Sequence, residues 1–245
     1  MTRPERTGSR GWLLDEVTSI GRENLDVTHV ARYDEKEDAG PVDEVALLLE
    51  AGRLTPDATV VDLGAGTGQF ALCAAQHCRR LVAVDPSPVM LDMLHAKASD
   101  AAPSLEIVQA GFLTYEHQGE PADLVYSRYA LHHLPDFWKA FALGRIRQML
   151  RPGGTLRLWD VVYHFAIDEA EDRIERWCAS VGDASGEGEW LREELEEHVR
   201  DEHSTFTWLL EPMLEQAGFV IQDASYTDDG FFAKYMLVAP SRTVP

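Results

Sequence analysis

A short apolar run opening directly into a glycine-rich turn, Val60-Val61-Asp62-Leu63-Gly64-Ala65-Gly66-Thr67-Gly68, constrains this chain more than any other stretch. The run reads as a buried strand. The glycines suit a turn in which backbone approaches a ligand closely, because no Cβ stands in the way. The helix expected from Gln69 onward begins with unpaired N–H groups, and these favour an anionic group. In an open parallel sheet, ligands gather at the carboxyl ends of strands, near the reversal in strand order. The turn therefore points to a nucleotide-type ligand without saying which.

The rhythm that follows supplies the sheet. Short apolar runs at Thr59–Leu63, Leu81–Val84, Leu105–Val108, Asp123–Tyr126 and Thr155–Trp159 alternate with helical segments that include Gln69–Cys78, Pro88–Lys97 and Phe137–Leu150. Continuous apolar strands joined by helices predict an α/β fold, doubly wound around a mostly parallel sheet. Arg151-Pro152-Gly153-Gly154 stops a helix and turns back into the sheet, since Pro cannot continue a helix and Gly accepts unusual dihedrals. Two final runs, Phe219–Ala224 and Phe231–Ala239, flank Asp228-Asp229-Gly230 and read as an antiparallel pair. Between them and the fifth strand, residues 167–217 are acidic and helical, with Leu191, Leu195 and Val199 marking one helix face.

Spacing narrows the ligand. The dinucleotide fingerprint G-x-G-x-x-G requires glycine where Gln69 stands, and no Gly-Lys-Ser/Thr ending marks a phosphate loop. The second strand ends in Asp85, whose carboxylate suits two bare ribose hydroxyls and would repel a 2′-phosphate. Val61–Gly68 and Val84-Asp85-Pro86-Ser87 resemble the first two motifs of the class I (Rossmann-like) S-adenosylmethionine (SAM)-dependent methyltransferases. The resemblance runs on through Gly111-Phe112-Leu113, Asp123–Ser127, Leu131-His132-His133-Leu134, Leu150–Gly154 and Glu215–Phe219, covering roughly residues 28–239 in the family's order.

The resemblance implies a seven-stranded sheet with an antiparallel last strand, a helical insertion (160–212) before the sixth strand, and an N-terminal helical cap. Residues 1–50 would form that cap and 51–245 the SAM-binding core. Gly64, Ala65 and Gly66 would lie against the methionine part of SAM, with Asp62 supporting the loop and the amino group. Asp85 would hold the ribose, Pro86 and Met90 would border the adenine, and Ser127 or Arg128 would meet the methionine moiety through backbone. Tyr33, in His29–Asp34, would stand over the sulfonium side. Many relatives carry Asp after the glycine of the third motif; here Gly111 is followed by Phe112, whose ring would contact adenine while the Leu113 backbone supplies hydrogen bonds.

The activity implied is methyl transfer from SAM to oxygen, nitrogen or carbon of a small organic acceptor, giving S-adenosylhomocysteine. A non-catalytic SAM-binding partner and a nicotinamide-dependent reductase are the alternatives. Methyl transfer asks the protein mainly for alignment and exclusion of water. If a hydroxyl acceptor needs a base, His133, Asp160 and His164 are the candidates, with His132 behind them. His198 and His203, with Glu197, Asp201 and Glu202, carry metal-ligand chemistry. Their helix is so acidic that a solvated face is the expected reading, with no metal. Trp159, Tyr163, Phe165, Trp177, Trp190 and Trp208 supply more aromatic surface than this region needs for a core, so some would line an acceptor pocket.

Charge bounds the partners. Acidic residues outnumber basic ones 42 to 22 for a net charge of −20, which repels nucleic-acid backbones and anionic membranes. The densest cationic stretch, Arg145, Arg147 and Arg151, reads as a solvated helix face. No nucleic acid and no membrane partner is expected, and a cytoplasmic location is the default without a signal or spanning segment. Cys73, Cys78 and Cys178 form no C-x-x-C pair and read as small apolar fillers. Neither the oligomeric state nor the acceptor follows from the sequence.

Overall fold

Each expected apolar run forms a strand in the computed structural model, which describes residues 11–21, 23–36 (backbone only at 23 and 32–36), 40–98, 104–181 and 192–241. The parallel strands are β1 (Thr59–Leu63), β2 (Arg80–Asp85), β3 (Leu105–Gln109), β4 (Ala122–Arg128) and β5 (Leu150–Tyr163). β7 (Val220–Tyr226) and β8 (Phe232–Val238) complete the main sheet in the order β3-β2-β1-β4-β5-β8-β7, with β8 antiparallel to both neighbours. A two-residue strand, β6 (Thr205–Phe206), pairs with the end of β5. β1 is buried at every position, whereas the edge strands β3 and β7 are largely accessible. That gradient is the reason the central runs are uninterruptedly apolar.

Two apolar layers cover the sheet. Val61 and Leu63 face one layer, with Leu143 and Ile146 of α6 (Asp136–Met149). Val60 faces the other, with Leu48 of α3 (Pro41–Glu50), Phe70 and Ala71 of α4 (Gln69–Ala74) and Leu94 of α5 (Pro88–Lys97). Within the second layer Arg157 donates to both oxygens of Glu44 at 2.8 Å. A buried ion pair is retained where each partner's charge is met in full.

Strand order reverses between β2 and β4, the two neighbours of β1, so a crevice opens above the carboxyl end of β1. Two groups of helices stand over it. From the N-terminal side come α1 (Glu16–Ser19) and α2 (Val27–Lys36). From the segment after β5 come α7 (Ala170–Ser180) and α8 (Arg192–Asp201), before α9 (Thr207–Gln216) returns to the sheet beside α6. No helix among the described residues is long and apolar enough to cross a membrane.

The arginines of α6 depart from the solvated face expected of them. Arg145 donates to the carbonyls of Phe112 and Tyr115 at 3.2 and 2.6 Å, and buried Arg147 to those of Gly218 and Pro240 at 3.1 and 2.5 Å. Arg151 lies on β5 and pairs with Asp123 at 2.5 Å. All five contacts satisfy loop carbonyls or a carboxylate at the sheet's rim. The three cysteines are free; Cys178 is buried, while Cys73 and Cys78 pack against the second layer.

Candidate active site

The glycine turn after β1 has the strained geometry its composition suggests. Gly64, Gly66 and Gly68 have φ of +75°, +54° and +86°, a region that Cβ-bearing residues rarely adopt. Gly64 is also a close approach: a Cβ there would fall 2.2 Å from the Cβ of Ala130, on the segment leaving β4. Asp85 Oδ2 accepts from Gly66 N at 2.9 Å and Oδ1 from Ser87 N at 2.8 Å. One carboxylate therefore ties the glycine turn after β1 to the turn after β2.

A cavity of about 660 Å³ begins at this turn. Gly64, Gly66, Asp85, Pro86, Met90 and Arg128 line it, as do Gly111 and Phe112. Asp62, Ala65, Leu113 and Ser127 are buried and are not among the lining residues. The Tyr33 side chain lies outside the described residues, as does Trp190. Arg128 carries its guanidinium over the rings of Trp159 and Tyr129, at 4.3 and 4.8 Å, and its buried Nε has no hydrogen-bond partner among the described residues. The next residue, Tyr129, has φ of +50° without being glycine, and it too lines the cavity. Backbone strain of this kind concentrates at ligand sites.

Carboxylates beneath the turn are held toward their neutral forms. Burial, reinforced by the charge of Asp85, raises Asp62 to about 8; its Oδ2 has no hydrogen-bond partner among the described residues. Burial raises Asp85 to about 6 against the lowering pull of the Ser87 and Gly66 N–H groups.

One residue of this wall gave no sequence signal. Glu16, buried on α1, accepts from Leu113 N at 3.1 Å and from Thr114 Oγ1 at 3.1 Å, beside Gly111 and Phe112. Burial raises its pKa, opposed by those hydrogen bonds and by Arg145. A lone Glu in a polar N-terminal stretch looks like any solvated acid. Only the fold brings it 97 residues along the chain to the third motif.

The far wall gathers histidines, carboxylates and aromatic rings. His132 follows β4 on a single 3₁₀ turn; its backbone N donates to Asp160 Oδ2 at 3.2 Å and its Nδ1 sits 2.5 Å from Oδ1. Its Nε2 faces Glu202 Oε2 at 3.0 Å, and the same oxygen meets Nδ1 of His198. Burial disfavours a charged His132, but Asp160 and Glu202 outweigh it and raise the ring's pKa; the same attraction lowers both carboxylates against their own burial. His133 lines the cavity with its Nδ1 enclosed and without a hydrogen-bond partner among the described residues. Burial and the adjoining His132 lower it to about 3. A ring so hard to protonate is a poor base near neutral pH, so His133 stands in the cavity wall as a neutral ring.

The other candidates divide. Asp160 is buried and fully engaged in orienting His132. His164 does not reach the cavity: it lies exposed on the far side of β5, stacked on Tyr226 at 3.7 Å, with Nδ1 near Thr207. The strand runs four residues past the expected end at Trp159, and that extension carries His164 away. His198 and Glu202 face the cavity instead of solvent, while the His203 backbone binds His132 O and Lys139. Among the aromatics, Trp177 lines the cavity and stacks on Phe231 at 4.2 Å, Tyr163 and Phe165 fill a small core beside it, and Trp208 is exposed.

Comparison with known proteins agrees with this architecture. Residues 60–154 match the family model of a methyltransferase domain. That segment runs from β1 to the turn within β5, and the strand order is that of the class I SAM-dependent methyltransferase fold. An uncharacterized methyltransferase of Geobacillus kaustophilus is 32% identical over 120 residues, 46% of this chain and 54% of that protein. The carboxy-S-adenosyl-L-methionine synthase of Ectopseudomonas mendocina is 34% identical over 137 residues, 49% of this chain and 55% of its own length. The chain thus spans about half the length of these relatives. Magnesium protoporphyrin IX methyltransferase from Synechocystis, solved with bound S-adenosylhomocysteine, superposes over 91% of this chain and 99% of its own with a TM-score of 0.63 at 16% identity.

Proposed function

We propose that this chain transfers the methyl group of SAM to a small organic acceptor and releases S-adenosylhomocysteine. One observation carries the reading: a single cavity joins the glycine turn and Asp85 to a wall of imidazole and aromatic side chains from the turn after β4, the helices after β5 and the start of β8. Cofactor and acceptor would share one chamber, as direct transfer requires.

The residues present fit SAM. The backbone of Gly64 and Gly66 approaches without a Cβ, and the Asp85 carboxylate, fixed by two N–H groups, is suited to the ribose diol. Pro86, Met90 and Phe112 supply apolar surface for the adenine. Glu16 offers a carboxylate for its amino group, the role that Asp plays after the third-motif glycine in many relatives. The unpartnered Nε of Arg128 suits the methionine carboxylate, and protonated or charged Asp62 lies behind the amino group. Bound SAM supplies a methyl already activated on a sulfonium. This chain's own part is to orient the acceptor atom behind that methyl and to keep water out. Trp177 and Phe232 exclude water, and the His133 ring borders the acceptor. α1 and α2 on one side and α7 and α8 on the other form the lid of the chamber.

Calorimetry with SAM, S-adenosylhomocysteine and NADH tests the cofactor, and transfer of label from methyl-labelled SAM to small molecules of a cell extract tests the reaction. Micromolar binding of SAM and labelled product in the small-molecule fraction are expected. NADH binding without SAM binding would overturn the reading, and so would SAM binding with no labelled product from any extract.

A further inference from the structure

We propose that His132, His198 and Glu202 form a binding site for one divalent cation of the zinc type in the wall of the cavity. One ligand atom from each lies within 4.8 Å of the other two. Zinc–ligand distances of about 2.0–2.2 Å place three donors roughly 3–3.5 Å apart, so closing the set takes small side-chain movements. Glu202 Oε2 already meets the facing nitrogens, Nε2 of His132 at 3.0 Å and Nδ1 of His198.

The outer partners have the form expected around a metal. A ligating histidine holds its second nitrogen on a carboxylate, carbonyl or hydroxyl, which fixes the ring and selects the tautomer. His132 does so through Asp160 Oδ1 at 2.5 Å, and Asp160 is itself anchored by two backbone N–H groups, His132 N at 3.2 Å and Val161 N at 2.8 Å. His198 does so through Ser204 Oγ at 2.8 Å. Both rings thus turn one nitrogen outward to a fixed partner and one inward to the shared carboxylate. The two elements arrive independently, His132 on the turn after β4 and His198 with Glu202 at i,i+4 spacing at the end of α8.

The donor set selects the ion. Two imidazoles and one carboxylate suit zinc and its borderline neighbours, whereas magnesium and calcium prefer oxygen throughout. Glu193 and Glu197 also line the cavity, and their charge favours a cation there. All three ligands line the same cavity, so open coordination positions would face the chamber. A cation so placed would hold an anionic or hydroxyl oxygen of the acceptor, making oxygen-bearing acceptors the substrate class. That last step rests on the methyl-transfer reading; the site itself does not.

The test uses the full chain dialysed against a chelator, then titrated with Zn²⁺ by calorimetry and with Co²⁺ by visible absorption. One ion per chain at micromolar affinity or better is expected, with Co²⁺ bands between about 500 and 650 nm for a low-coordinate N/O site. His198→Ala and Glu202→Gln should each weaken binding at least 100-fold, and Ser204→Ala by about tenfold. Circular dichroism checks that each variant is folded, and Ser204→Ala keeps the test alive if His198→Ala does not fold. No stoichiometric binding below 100 µM, or affinity unchanged in both Glu202→Gln and Ser204→Ala, refutes the site. Calorimetry with SAM on the same wild-type sample separates the two readings. SAM binding without metal binding sinks the metal site alone, and metal binding without SAM binding sinks the methyl-transfer reading alone.

Discussion

The contact between the glycine turn and the segment after β4 can be tested by filling it. Gly64→Ala imposes two costs that the structure separates. With φ at +75°, an alanine pays the left-handed penalty of about 1–2 kcal/mol. Its Cβ would also fall 2.2 Å from the Cβ of Ala130, more than an ångström inside ordinary contact, and such overpacking costs about 1–3 kcal/mol. The sum, about 2–5 kcal/mol, corresponds to a fall in Tm of roughly 4–20 °C for a chain of this size. Relief of the clash must move either the glycine turn or Ala130, both of which line the cavity, and a displacement near 1 Å weakens aligned function by about 100-fold. Ala130→Gly supplies the control. The next atom, Ala130 Cα, is 3.7 Å from the added Cβ, so the double variant keeps the dihedral penalty and loses the clash. Differential scanning calorimetry and SAM titration on all four proteins should give a favourable coupling of about 1–3 kcal/mol. A Gly64→Ala protein that melts within 1 °C of wild type, or a double variant whose losses simply add, would refute the close-approach argument.

Three further outcomes follow from the site and the core. Arg128→Met should weaken SAM at least tenfold while changing affinity for 5′-methylthioadenosine, which lacks the amino-acid carboxylate, less than threefold; equal losses for both ligands would remove Arg128 from carboxylate recognition. SAM binding should release protons near pH 7. Asp62 and Asp85 are raised to about 8 and about 6 in the free protein, and a bound ammonium or sulfonium favours their charged forms. Calorimetry in two buffers of different ionisation enthalpy reads this as a buffer-dependent heat, and identical heats would contradict it. For the buried pair, Arg157→Met should cost about 3–5 kcal/mol because Glu44 is left with Lys234 alone at 3.5 Å, whereas Glu44→Leu with Arg157→Met should recover most of it. Burial opposes ionised Glu44, but hydrogen bonding and charge from Arg157 outweigh it and lower its pKa below the unfolded value of 4.5. The pair's contribution is therefore complete above pH 4.5 and fades as pH falls through the lowered folded value. Thermal melts from pH 3 to 7 should show wild type losing ground to the double variant only below about pH 4.5; a constant difference across that range would contradict the assignment.

What was legible in the sequence is what a short stretch decides for itself. β1 and α5 begin and end where the apolar runs and Ser87-Pro88 put them, because burial on both faces and an N-cap act within a few residues. The glycine turn and Asp85 belong to the same local class: one contiguous segment, residues 60–90, supplies most of the cofactor end. The acceptor end obeys a different rule. β5 outruns its expected end because β6, forty residues later, pairs with Val162 and Tyr163, and that extension turns His164 to the surface. α8 reads as a solvated acidic helix since five of its ten residues are carboxylic, yet Leu195 and His198 are buried by α7 and by His132. Arg145, Arg147 and Glu16 likewise satisfy backbone groups 30 to 97 positions away, and nothing local distinguishes them from solvated charges. Each of these residues takes its meaning from a partner that only the fold supplies. Chemistry on the cofactor can be conserved in a motif, whereas chemistry on the acceptor is assembled from segments that share no sequence neighbourhood. For this reason the pair His198 and Glu202, read alone, gives an exposed i,i+4 contact, and read with His132 and Asp160 gives a site with an oriented set of donors.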